Sequence, residues 1–170
     1  IDDPAMWSLS REKIYDTDST VFVGASRILT GIDRNTYTKE NGNSEAVFLA
    51  VNSMTNSLST LKDLSNDDQF HGTVIVSIHG NSFLPETMTE QDKYTNYFHS
   101  EWSLNKKLNR IIATAIQENI VSVQSHLNIP RLITEITTER HAATFLPLTA
   151  TTNSDRSIRA DYKIHEENVQ

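Results

Sequence analysis

The sequence predicts an α/β protein: a three-layer sandwich around a mostly parallel sheet, with a helical insertion after the third strand. Three short apolar runs, at residues 20–23, 46–51 and 73–78, alternate with segments of helical pattern. Those runs are apolar throughout rather than alternating, as expected for parallel strands covered on both faces. Right-handed crossovers follow from that order. After Phe83-Leu84-Pro85 the pattern becomes helical and stays so to Arg140, so residues 86–140 are read as the insertion.

The elements follow in order. Residues 4–15 read as a helix, with Asp3 as its cap, Pro4 in its first turn and Met6, Trp7, Leu9 and Ile14 on its apolar face. Asp16-Thr17-Asp18-Ser19 ends it and leads into the first strand. Residues 26–32 form a brief helix or turn, and Asp33-Arg34-Asn35-Thr36 is a polar break. Glu40-Asn41-Gly42-Asn43-Ser44 is a turn cluster before the second strand. Leu58, Leu61 and Leu64 recur at helical spacing and place a helix over 55–64. Gly72 opens the third strand. In the insertion, Tyr94, Tyr97, Phe98, Trp102, Leu104 and Leu108 form an aromatic-rich face, and Ile111, Ile112, Ala115, Ile116, Ile120 and Val123 continue the stripe. These residues are expected to pack a helical hairpin onto the sheet, with a substrate groove or a partner surface as the alternative reading. Residues 142–153 are extended and Thr-rich, and 155–170 are polar and expected to form a final surface helix.

Composition bounds the function. The 170 residues suit a single domain, 1–170, that buries a core without staples. With 37% apolar and 22% charged residues the chain is of ordinary globular type. A formal charge of −7 argues against a general nucleic-acid binder, which needs a basic face. There are no cysteines, so disulfides and thiolate metal sites are excluded. No run approaches the ~20 apolar residues of a membrane span. Ile1-Asp2-Asp3-Pro4 lacks the basic start and apolar core of a signal peptide. Beginning without Met, the chain is expected to be a piece of something longer. No His-x-x-x-His pair, acidic calcium-type loop or phosphate-cradling glycine loop is present, so neither metal nor cofactor is expected.

The chemistry-bearing feature is Gly24-Ala25-Ser26. It ends a buried strand and opens a helix, which puts a hydroxyl at the carboxyl edge of the sheet, where ligands collect in open α/β folds. Gly24 lets the backbone turn sharply there. Ser26 is therefore a candidate nucleophile, with helix capping as the competing role. A nucleophilic serine needs a base within hydrogen-bond reach. His79 ends the third strand on the same predicted edge and is one candidate. His99, His126 and His141 lie on helical or loop stretches without ligand spacing and read as surface residues.

Val21-Phe22-Val23-Gly24-Ala25-Ser26-Arg27, followed by Gly31-Ile32-Asp33, resembles the first block of SGNH (GDSL-type) hydrolases, particularly a membrane-anchored bacterial branch. Phe70-His71-Gly72-Thr73-Val74-Ile75-Val76-Ser77-Ile78 is similar to the third-strand region of such proteins, and Asp155-Arg156-Ser157-Ile158-Arg159-Ala160-Asp161-Tyr162 more loosely so. The resemblance covers about the first 80 residues. It implies a flavodoxin-like sheet with Ser26 as nucleophile and oxyanion donors from two later loops. The second-block glycine falls near Asn52-Ser53, where the Ser53 amide can donate. The third-block asparagine falls near His79-Gly80-Asn81, making Asn81 a side-chain donor, against a plain turn role.

The family's Asp-x-x-His lies near the domain's end. Asp68 and His71 have that spacing but precede the third strand, which places them across the sheet from Ser26. Asp161 and His165 are one residue too far apart, and on a helix that spacing suits a surface ion pair more often than a dyad. A flavodoxin-like sheet has about five strands, and three are found. Either two strands hide beyond Ala142, or, as preferred here, the chain stops before the last strands and the Asp/His loop.

Two functional expectations result. One is a periplasmic or cell-envelope serine ester hydrolase or acyltransferase. It would act on a small acyl ester or a carbohydrate ester, with Ser26, His79 and His165 as catalytic candidates and Ser53 and Asn81 at the oxyanion. The other is an inactive binding or scaffold module with a protein partner in a cell-envelope assembly. Its support is the missing Asp-x-x-His, the replaced glycine and the aromatic helical face. The resemblance further implies a parent protein anchored in a membrane.

Overall fold

A computed structural model describes residues 3–15, 19–42, 44–52, 54, 56–84, 87, 89–119, 150–152, 156 and 158–160. The chain forms an α/β sandwich with an open, all-parallel sheet of order β2-β1-β3, built from β1 (Thr20–Val23), β2 (Ala46–Phe48) and β3 (Thr73–Val76). Side chains alternate across the central strand, and each set finds its own helical layer. Val21 and Val23 join Val47, Leu49 and Val51 beneath α1 (Pro4–Arg11), α4 (Leu58–Ser65) and α5 (Asp92–Ser100), through Trp7, Leu64 and Tyr94. Phe22, Ala46, Phe48 and Ala50 face the other way, toward Ile28 and Leu29 of α2 (Ser26–Gly31) and Tyr37 of α3 (Arg34–Glu40).

Local chemistry fixes the ends. Asp3 accepts the Met6 amide at 2.9 Å and Pro4 occupies the first turn of α1, as the sequence predicts. A 3₁₀ turn, Glu12–Tyr15, continues the helix toward β1. Trp7 is fully buried and its indole N–H donates to the Leu49 carbonyl at 3.0 Å, so its one polar atom is satisfied in the core.

Several expectations are corrected. The polar break at 33–36 opens α3: Asp33 accepts the Thr36 amide at 2.7 Å and caps a helix with no fully buried residue. Tyr37, its half-buried anchor, stands edge-on to Phe22 and donates to Thr20 Oγ1 at 2.9 Å. Residues 158–160 are not helical but strand β5 (Ile158–Ala160), antiparallel to β4 (Ala150–Thr152) in a separate two-stranded sheet. β1 and β2 are buried throughout, but β3 alternates between exposed and half-buried side chains, so its cover is incomplete.

The hairpin insertion divides. α5 packs on α1, with Tyr94 buried and Tyr94 and Phe98 against Trp7. α6 (Leu104–Asn119) does not place its apolar stripe on the sheet; Leu104, Leu108, Ile111, Ile112 and Ile116 are exposed. Its other side makes ion pairs with the body of the protein: Lys107 to Glu12 at 2.7 Å and Arg110 to Asp3 at 3.2 Å. Ile120, Val123 and the rest of the predicted insertion to residue 140 lie outside the described residues.

The two margins of the main sheet differ. Leu49 and Val51 donate inward, to Phe22 and Gly24. Across a trans peptide the preceding carbonyls must then point outward. Those carbonyls, of Phe48 and Ala50, are each gripped at 2.7 Å by the Arg156 guanidinium, which is buried. Arg156 holds a left-handed backbone, φ 67°, to deliver that fork. On β3, Thr73 and Ser77 donate inward, so the Val74 and Val76 amides point outward. No described residue accepts from them.

Candidate functional site

The order β2-β1-β3 places the switch in strand order between β1 and β3, and open sheets bind ligands beside the carboxyl ends at such a switch. Two segments border it. One is Gly24-Ala25-Ser26 after β1, the other Ser77 to Asn81 after β3. They approach closely: the Ser77 amide donates to Val23 at 2.9 Å, and a Cβ on Gly24 would meet Ser77 Cβ and Ile28 Cγ1, each at 3.0 Å. Gly24 also has φ 155°, which side-chain-bearing residues rarely adopt.

Ser26 is the first residue of α2 and is half-buried. The cap position belongs to Ala25, whose methyl group cannot accept a hydrogen bond from the first-turn amides, so Ser26 does not cap the helix. Its carbonyl accepts from Thr30 Oγ1 at 3.0 Å, while its own hydroxyl makes no hydrogen bond with a described residue.

His79 is exposed and caps a 3₁₀ turn, Gly80–Phe83. Its Nδ1 accepts the Asn81 amide at 3.2 Å and its amide donates to Ser82 Oγ at 3.1 Å. A neutral ring in that arrangement carries its proton on Nε2, with its lone pair committed to the turn. Asn81 is exposed beside it, and its side chain engages no described residue. Ser53, Asp161 and His165 lie outside the described residues. Asp68 and His71, the pair with family spacing, are exposed at the amino end of β3, away from Ser26. His99 is exposed, as expected, and pairs with Asp63.

Two buried amides behind the site have no counterpart in the sequence reading. Asn56 accepts the Leu58 amide at 2.7 Å, opening α4, and donates to the Ser82 carbonyl. Its own amide donates to Glu90 Oε2 at 2.8 Å. Gln91, fully buried, accepts from Thr60 Oγ1 and donates to the Gly24 carbonyl at 3.4 Å. Together they tie the loops after the three strands to the start of α5. Asn56 carries the ordinary signal of a polar residue just before a helix; Gln91 carries none, since its role depends on a partner 67 positions away.

A separate concavity of about 800 Å³ opens between α4 and α5, lined by Tyr15, Asp63, Asp67, Asp92, Phe98 and His99 among others. Arg11, buried, binds two of its walls: Nε to Asp63 and Nη2 to Asp67, both at 2.7 Å. Burial opposes the Arg11 charge, but hydrogen bonds to those two carboxylates outweigh it and raise its pKa. Burial likewise pushes the Asp67 carboxyl up, yet hydrogen bonds from Arg11, the Gln69 amide and Tyr15 bring it below the usual carboxylate value. This is a structural ion cluster, distinct from the switch-point site. Among the described residues no group of three or more His, Asp or Glu is placed to hold a metal ion.

No family model, curated protein or solved structure matches the chain.

Proposed function

We propose that the chain is a serine acyl-ester hydrolase or acyltransferase of SGNH type, acting outside the cytoplasm on a cell-envelope or exported carbohydrate ester. One observation carries the reading: Ser26, with its hydroxyl unengaged by described residues, follows the Gly24 turn at the carboxyl edge beside the strand-order switch. The Asn81 side chain, on the neighbouring loop, is free to donate to a developing oxyanion, with the Ser26 and Ser53 amides as further donors.

In the reaction the Ser26 Oγ–H bond breaks as Oγ–acyl forms, the proton passes to an imidazole, and the ester's acyl–oxygen bond breaks as that proton is given to the departing alkoxide oxygen, which leaves as the alcohol. Water or an acceptor alcohol then takes the acyl group from Ser26. His79 and His165 are the candidate bases. His79 serves once its ring turns to release the Asn81 amide, since that contact occupies its lone pair. The substrate class and extracytoplasmic location follow from the resemblance.

A fluorophosphonate probe and a panel of small acetyl and aryl esters test the assignment. Labelling at Ser26, with turnover abolished in Ser26→Ala, is the expected result. Full activity in Ser26→Ala refutes it. The second reading, an inactive scaffold module of an envelope assembly, is favoured by the His79 ring being committed to its turn. It predicts no labelling at Ser26.

A further inference from the structure

The turn that carries Asn81 is gripped from behind by one side chain. Asn56, on the loop after β2, is 2% exposed, and both ends of its amide are engaged. Its Oδ1 accepts the Leu58 amide at 2.7 Å, an Asx turn that opens α4. Its Nδ2 donates to the Ser82 carbonyl and reaches Thr87 Oγ1 at 3.4 Å. Thr87 Oγ1 donates in its turn to the carbonyls of Asn81 at 3.0 Å and Leu84 at 2.9 Å. The Ser82 hydroxyl accepts the His79 amide at 3.1 Å. The Asn56 amide nitrogen, donating to Glu90 Oε2 at 2.8 Å, ties this hub to the segment before α5.

We propose that Asn56 is a positioning residue: its amide hydrogens hold the Gly80–Phe83 turn where the Asn81 side chain serves an oxyanion formed at Ser26. The chemical consequence rests on the hydrolase reading; the clamp itself does not. His79, Gly80 and Asn81 are exposed, so packing does little to hold them. Bonds within the turn, Ser82 to His79 and Leu84 to Asn81, set its shape but not its place. Ser82 is the buried residue of this stretch, and Asn56 grips its carbonyl. The site needs one acceptor and two donors on a single planar group, which among uncharged side chains only Asn and Gln supply. A donor fixed beforehand stabilises an oxyanion without reorganising at the moment of reaction. Because the two tasks of Asn56 sit on different atoms, they separate by substitution: Oδ1 opens α4, and Nδ2 holds the turn.

Asn56→Asp and Asn56→Ser test it, since each keeps an oxygen for the Leu58 amide and neither places two N–H groups on the turn. Serine also avoids burying a charge near Glu90, should the aspartate variant fold poorly. The first readout is amide exchange by NMR. The Asn81, Ser82 and Leu84 amides, all bonded within the turn, exchange at least about tenfold faster in both variants. The Leu61 amide, which donates to Ser57 in the first turn of α4, keeps its protection. Unchanged exchange in the turn overturns the proposal. So does an equal loss at Leu61, which assigns Asn56 to α4 alone. The second readout is the rate of fluorophosphonate labelling at Ser26, which falls by about 100-fold in Asn56→Ser. Combined with Asn81→Ala, that substitution slows labelling no further, because it acts through Asn81. Losses that multiply overturn the positioning role. A wild type that takes no label overturns the hydrolase reading and the catalytic consequence together, whereas a failed clamp is read from exchange with labelling intact.

Discussion

Gly24 and Ser77 are pressed together at the carboxyl ends of neighbouring strands: a β-carbon on Gly24 would stand 3.0 Å from Ser77 Cβ and 3.2 Å from the Ser77 carbonyl oxygen. Backbone conformation and close packing both demand glycine here, at the residue that aims the Ser26 turn. Gly24→Ala is expected to lose about 2–4 kcal/mol, from the strained φ and the overpacked junction. Urea unfolding measures the loss; an unchanged midpoint contradicts the packing described. If Ser26 is the nucleophile, its labelling slows in the same variant, because the turn has shifted.

Arg156 seals the outer margin of β2 with two hydrogen bonds to backbone carbonyls. Arg156→Met leaves those acceptors buried and unmet, at an expected cost of about 2–4 kcal/mol. Arg156→Lys recovers little, since a single ammonium lacks the planar fork that reaches both oxygens. Amide exchange across Ala46–Phe48 and the melting temperature are the readouts. Full recovery by lysine rules out the fork as the stabilising element.

The Asp67 carboxyl has a folded pKa below its unfolded one, because the hydrogen bonds from Arg11, the Gln69 amide and Tyr15 outweigh its burial. Its contribution is therefore complete above the unfolded value, about 3.9, and disappears as pH falls through the folded value. Urea midpoints taken from pH 7 to about pH 3 should fall below pH 4. In Asp67→Asn the neutral-pH midpoint is lower and the acid decline shallower. An equal decline in both proteins removes Asp67 from the cause.

The sequence exposes features set by neighbouring residues and hides those set by distant ones. β1 has the predicted bounds because four consecutive apolar or β-branched residues end at a glycine. Asp3 and Pro4 announce α1 for the same local reason. α3 escapes notice because its capping aspartate heads a polar segment with only Tyr37 turned toward the core. The apolar stripe of α6 is plain in the sequence, but its direction is not. Glu12 and Asp3, about a hundred positions earlier in the chain, hold the opposite side. At the site, Ser26, His79 and Asn81 are visible from strand ends, whereas Gln91 is not, because its partners Thr60 and Gly24 lie in other elements.

The unequal margins of the sheet give it a direction of growth. Arg156 occupies the β2 border much as a neighbouring strand would, while the outward amides of Val74 and Val76 offer a template on the other. No charge or proline interrupts β3. Any strand added to this architecture, by a longer relative, a grafted segment or a misfolding neighbour, enters beside β3. Engineering against aggregation would start with a lysine on that strand, and engineering a larger sheet would start at the same place.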